Sequence, residues 1–126
     1  MTYGSVSFLL MGDANADAKS RMANSGTNLQ ADILKVGHHG SATSTSSAFL
    51  SKAQPKISVI EVGAGNSYGH PTSATLGRLA QVGSAVYRTD LNGDVTVTTD
   101  GTTYDVKTGL VSSQLVADTV KTVTMQ

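Results

Sequence analysis

The chain contains no cysteine. Disulfides and thiolate metal sites are therefore excluded, and the redox compartment stays open. Charge is scarce: charged residues make up 14% of 126 residues, and nine basic residues balance nine acidic ones. A chain of net charge +0 has no global basic field with which to hold a polyanion non-specifically. No apolar run is long enough to span a membrane. The N-terminus lacks a basic stretch followed by an apolar one, so no signal peptide is expected and localisation is undetermined. Histidine is also rare, with three in the chain, two of them adjacent. The length suits one compact domain with one core.

What is present is organised around Ile33-Leu34-Lys35-Val36-Gly37-His38-His39-Gly40-Ser41. A short apolar run ends there in two imidazoles flanked by glycines, an arrangement that can hold a metal or a general base at the rim of a sheet. Two further runs behave alike. Val6–Met11 reads as a buried strand ending in Gly12-Asp13, and Ile57–Val62 as a third strand followed by a glycine-rich loop, 63–70, that ends in His70-Pro71.

Between them, Ala14–Ala23 is expected to be helical, with Asp13 able to cap it. A second helix is expected from Ser46 or Ser47 to about Gln54, and a third from Pro71 to about Gln81. Ala85–Arg88 reads as a fourth strand. Asp90-Leu91-Asn92-Gly93 reads as a hairpin-type turn, and Val95–Thr99 and Thr102–Val106 as strands joined at Asp100-Gly101. Residues 110–126 carry no clear period and form a tail of undetermined structure, leaving 1–109 as the domain.

Alternation of strand and helix implies an α/β layer, in which sites collect at the strand ends that lead into loops. On that topology Asp13, His38, His39 and His70 converge. Carboxylate and imidazole together suit zinc, manganese or iron better than magnesium or calcium. A metal there would lower the pKa of a bound water and produce a hydrolytic nucleophile. Each residue also has an ordinary reading. Asp13 can be a helix cap and His70 an N-cap. If the chain is extended, His38 and His39 point to opposite sides, so at most one need serve a metal. The other would be a proton donor or a loop residue. Lys35 is expected at an edge or rim, and the Ser/Thr-rich loop 41–47 either lines a phosphate site or is simply solvated. Asp90-x-Asn92-x-Asp94 lacks the glycine and glutamate of a calcium loop.

The segments 7–14, 31–41 and 62–71, with 86–90 and the hairpin after it, resemble the metallo-β-lactamase fold. Within that fold they are similar to the hydrolase domain of ComEC-type competence proteins and its free-standing relatives. The resemblance implies an αββα sandwich with a mixed sheet and flanking helices. It implies a metal-dependent phosphodiesterase or nuclease using zinc or manganese, with nucleic acid among its substrates. It makes Asp13 a bridging metal ligand and His39, of the His38-His39 pair, a ligand of the second metal. His38 and His70 then take catalytic roles, His70 as ligand or proton donor.

The family's His-x-His-x-Asp-His motif has no counterpart, since no histidine precedes His38. The chain is therefore expected to be the C-terminal half of such a sandwich, weak or inactive alone, with one apolar sheet face left bare. That face would drive self-association or accept a complementary N-terminal half. The competing expectation is a non-catalytic binding or assembly module that keeps the fold.

Overall fold

The computed structural model describes residues 1–109 in full and Lys121–Met125 as backbone. The chain is a mixed α/β structure with a mixed sheet and flanking helices. Five strands form the main sheet in chain order: β1 (Thr2–Tyr3), β2 (Val6–Leu10), β3 (Ile33–Lys35), β4 (Ile57–Ile60) and β5 (Ala85–Arg88). β1 runs antiparallel to β2, and β2 to β5 run parallel. Three helices link the parallel strands: α1 (Ala16–Asn24), α2 (Ser47–Ala53) and α3 (Ser73–Gln81). Among the described residues no helix is long and apolar enough to cross a membrane.

The period-two alternation of strand side chains divides the core between the two sheet faces. Leu34 and Ile60 point to one face, where they pack with Phe49, Leu50 and Ala53 of α2 and Leu79 of α3. Ile33, Ile57 and Val59 point to the other, with Val6 and Phe8 of β2. Ser58, buried on the strand between them, is satisfied by the Ser84 hydroxyl at 2.6 Å.

The second face is not bare. A smaller antiparallel sheet lies on it, formed by β6 (Val95–Thr99), β7 (Tyr104–Thr108) and the backbone strand β8 (Lys121–Met125), in the order β7-β6-β8. Val95 and Val97 of β6 are fully buried against the β2–β4 residues. The expectation of an uncovered apolar face is thus corrected. The hairpin folds back over the sheet and covers that face. β8 comes from the stretch left unassigned by sequence, and residues 110–120 lie outside the described residues.

Local chemistry explains the element ends. α1 starts two residues later than expected, because Asn15 rather than Asp13 is its N-cap, with Oδ1 accepting from Ala18 N at 2.8 Å. Ser46 and Thr72 cap α2 and α3 in the same way, leaving Pro71 just outside α3. The Asp90–Gly93 stretch is no hairpin. It is one helical turn, α4 (Thr89–Asn92), that carries the chain from one sheet to the other. Asn92 Oδ1 accepts from Arg88 N, and the Arg88 guanidinium grips both Asp90 oxygens, holding that carboxyl below its usual range against the opposing effect of burial.

Candidate functional site

The register of the parallel strands sets the site. Leu10, Lys35 and Val59 lie side by side, so the residues that follow each strand leave from the same edge. Two backbone hydrogen bonds draw these exits together: Met11 N to Lys35 O at 3.4 Å, and His38 N to Gly12 O at 2.9 Å.

Residues Gly37–Gly40 form a tight 3-10-type turn, and they are not extended. His38 and His39 both take left-handed backbone conformations, with φ of 48° and 53°. A non-glycine residue held there costs of order 1–3 kcal/mol, and such residues cluster at functional sites. The divergence expected of an extended chain therefore does not apply. Their rings lie edge to face with centroids 6.4 Å apart, and His38 stands 6.0 Å from His70 in the same manner. The three imidazoles therefore form one cluster.

His39 is anchored by a single bond. Its Nδ1 lies 2.7 Å from the Glu61 carbonyl oxygen at the end of β4. A carbonyl only accepts, so Nδ1 is the donor, and in the neutral ring Nε2 keeps its lone pair. A histidine held this way through its other nitrogen has the usual arrangement of a metal ligand or an acceptor of protons. The Glu61 side chain is held by Lys35, with Nζ–Oε2 at 3.2 Å. Lys35 is thus a rim residue, on a strand central to the sheet.

His70 sits in a loop clamped by Asn66. The Asn66 Oδ1 accepts from Tyr68 N and His70 N, both at 3.1 Å, while its Nδ2 donates to the carbonyls of Gly63 and His70. Thr72 N donates to Gly40 O at 3.0 Å, which ties this loop to the His38-His39 turn. Two small cavities adjoin His39. One, of about 190 Å³, is lined by His39, Val62, Gly63, Asn66, Tyr68 and His70. The other, of about 210 Å³, is lined by His39, Glu61, Val62, Gly63 and Thr89.

Asp13 is exposed at the same edge, next to Gly12. No hydrogen bond or ion pair joins its carboxylate to an imidazole among the described residues. Among those residues no three His, Cys, Asp or Glu side chains come close enough to enclose a metal ion. The donors have the right chemistry for zinc or manganese, but they do not by themselves make a closed site.

Sequence reasoning missed the positioning groups. The Glu61 carbonyl and Asn66 hold the histidines, and only Asn66, an Asx residue in a glycine-rich loop, carried a turn signal that pointed to such a role. Lys19 was missed without any signal. It is 2% exposed, and its Nζ has no hydrogen-bond partner among the described residues. The Ser/Thr loop is half buried, with Ala42, Thr43, Ser46 and Ser47 exposed. Ser41, Ser44 and Thr45 are buried, and Arg78 fastens the loop through the carbonyls of Thr45 and Ala42.

This mixed α/β unit is homologous in sequence, over most of its length, to competence and recombination proteins. Over 95 residues, 75% of its length, the chain is 40% identical to ComE operon protein 3 of Bacillus subtilis. It is also 37% identical over 91 residues to Competence protein ComA of Neisseria gonorrhoeae, and 40% identical over 94 residues to Recombination protein 2 of Haemophilus influenzae. These alignments cover 71% and 75% of the chain. The chain matches only 12%, 13% and 12% of these three relatives' lengths. No family model and no solved structure matches it.

Proposed function

We propose that this chain supplies part of a metal-dependent hydrolase site of metallo-β-lactamase type, acting on phosphodiesters, nucleic acid among them. The observation that carries this reading is the His39 Nδ1–Glu61 carbonyl bond, which leaves Nε2 free within a cluster of three imidazoles. His39 and Asp13 are the proposed metal ligands. His38 and His70 are the proposed catalytic groups, since each can hold or deliver a proton beside His39. Zinc or manganese would supply the Lewis acid. Further donors have to come from residues beyond these four, because no three His, Cys, Asp or Glu side chains among the described residues come close enough to enclose a metal ion. The names of the relatives, a competence protein and a recombination protein among them, favour a nucleic-acid phosphodiester over other esters.

Activity alone is then expected to be weak or absent. The purified chain should turn over bis(p-nitrophenyl) phosphate barely above background with zinc or manganese, and His39→Ala should remove what activity remains. Robust turnover, abolished by EDTA and by Asp13→Ala, would show that the site is complete and contradict the partial-site reading.

A second reading is a binding or assembly module that keeps the fold without the chemistry. Partner binding that survives His39→Ala and ignores metal would decide for it.

A further inference from the structure

We propose that Tyr68 is a stacking platform for a nucleobase at the mouth of the His39–His70 pocket. The inference rests on the hydrolase reading for the phosphodiester beside that base, and it names the part of the substrate the ring would recognise.

Tyr68 is 80% exposed, one of four large hydrophobic side chains left in solvent among the described residues. It is also the one of the four that lines the cavity shared by His39 and His70. Its ring stacks on His70 with centroids 5.8 Å apart and an interplanar angle of 23°. It is presented rigidly. Asn66 Oδ1 accepts from the backbone N–H of Tyr68 and of His70, so the segment carrying both rings is pinned from one side chain. Exposing an apolar ring costs free energy, and holding it still forgoes the entropy that a mobile surface tyrosine retains. Both costs are recovered when a flat π-surface lands on the ring.

The chemistry of the surroundings selects the class of ligand. Besides Tyr68, the cavity is lined by Val62 and Gly63, which offer no side-chain charge, and by His39, Asn66 and His70. A planar heterocycle gains stacking on Tyr68 and van der Waals contact with this uncharged part of the lining. Stacking tolerates any base, because every base has a π-face. The proposed selectivity is therefore for a base-bearing strand without sequence preference. The order ring, His70, His38 places the platform on one flank of the imidazole cluster. A base stacked on Tyr68 would leave its own phosphate near His70.

The test is fluorescence anisotropy with labelled oligo(dT) and an abasic strand of equal length, in EDTA, using the full chain. Oligo(dT) should bind more tightly than the abasic strand. Tyr68→Ala and Tyr68→Leu should weaken oligo(dT) binding by roughly five- to a hundred-fold, as expected for loss of one stacked base, and leave the abasic strand unaffected. Tyr68→Phe should bind like the parent. The exposure of Tyr68 keeps these variants folded. Equal binding of the two strands, no measurable binding of oligo(dT), or an unchanged affinity in Tyr68→Ala would each overturn the proposal. The measurement needs no turnover. Base preference without phosphodiesterase activity would keep the platform and remove the hydrolase reading, and activity without base preference would do the reverse.

Discussion

Alanine at position 40 is expected to destabilise the chain by about 2–4 kcal/mol and to part the two histidine loops. Gly40 has φ of +79°, and a Cβ built there would lie 2.6 Å from Pro71 Cβ and 3.1 Å from Pro71 Cα, with Ile60 Cγ2 at 3.4 Å behind. The neighbour is a proline ring and its backbone, which cannot swing aside as a lysine would. The left-handed conformation alone costs a β-carbon about 1 kcal/mol, and overpacking adds about 1–3 kcal/mol. Relief requires residues 70–72 to retreat, which breaks the Thr72 N–Gly40 O bond and carries His70 away from His38. Gly12 is the control. It also has positive φ, +50°, but a Cβ there meets nothing within 4 Å. Its alanine variant should lose only the conformational contribution of about 1 kcal/mol. Urea unfolding of the two variants separates the effects. Equal losses would mean that the contact between the loops is not tight.

Methionine in place of Lys19 is expected to stabilise the chain at neutral pH by about 1–3 kcal/mol, the cost of a buried polar group without a partner. α1 brings this side chain under the strand ends, and a Cβ at Gly37 would sit 3.2 Å from its Nζ. The side chain is 2% exposed, and no acceptor reaches the ammonium among the described residues. Burial pushes the Lys19 ammonium below its usual range, and the Asp13 carboxylate only partly opposes this. The pH sign follows from that depression. Below the folded-state pKa both states are protonated, and the burial cost is present in full. Between that value and the unfolded pKa, about 10.4, the unfolded chain binds the extra proton. Stability therefore rises with pH across this window. Lys19→Met should remove the rise and flatten the alkaline limb of a urea-midpoint profile. The swap keeps volume and adds no polar atom. A Met variant less stable than the parent would show that the ammonium does find an acceptor.

Much of the architecture was legible in the sequence because parallel strands leave few options. Val6–Leu10, Ile33–Lys35 and Ile57–Ile60 are apolar runs that stop at glycine or a polar residue, with helices between. Once they are parallel, Gly12-Asp13, Gly37-His38-His39 and the loop to His70 must share one edge. What sequence could not supply was conformation inside the turns and cover from far along the chain. Nothing in Gly-His-His-Gly announces two consecutive left-handed histidines, so divergent rings were expected only for an extended chain, which this turn is not. Valines at 95 and 97 alternate as any hairpin strand would, and the pattern does not say which sheet they cover. Lys19 lies in an alanine-rich helix where lysine ordinarily reaches solvent, and only three-dimensional packing shows that it does not. Asp13 was legible as a strand-end carboxylate, and its alternative reading as a cap fails because Asn15, two residues later, takes that role.

The central claim is that His39, fixed through Nδ1, offers Nε2 to a metal as part of a shared imidazole cluster. Long-range ¹H–¹⁵N spectra of the histidine rings, recorded while zinc is titrated into the chain, test it most directly. The expected result is the Nδ1–H tautomer for His39, with its Nε2 resonance moving on zinc addition and the His38 or His70 ring moving with it. A His39 protonated on Nε2, or three rings indifferent to zinc, would contradict the account.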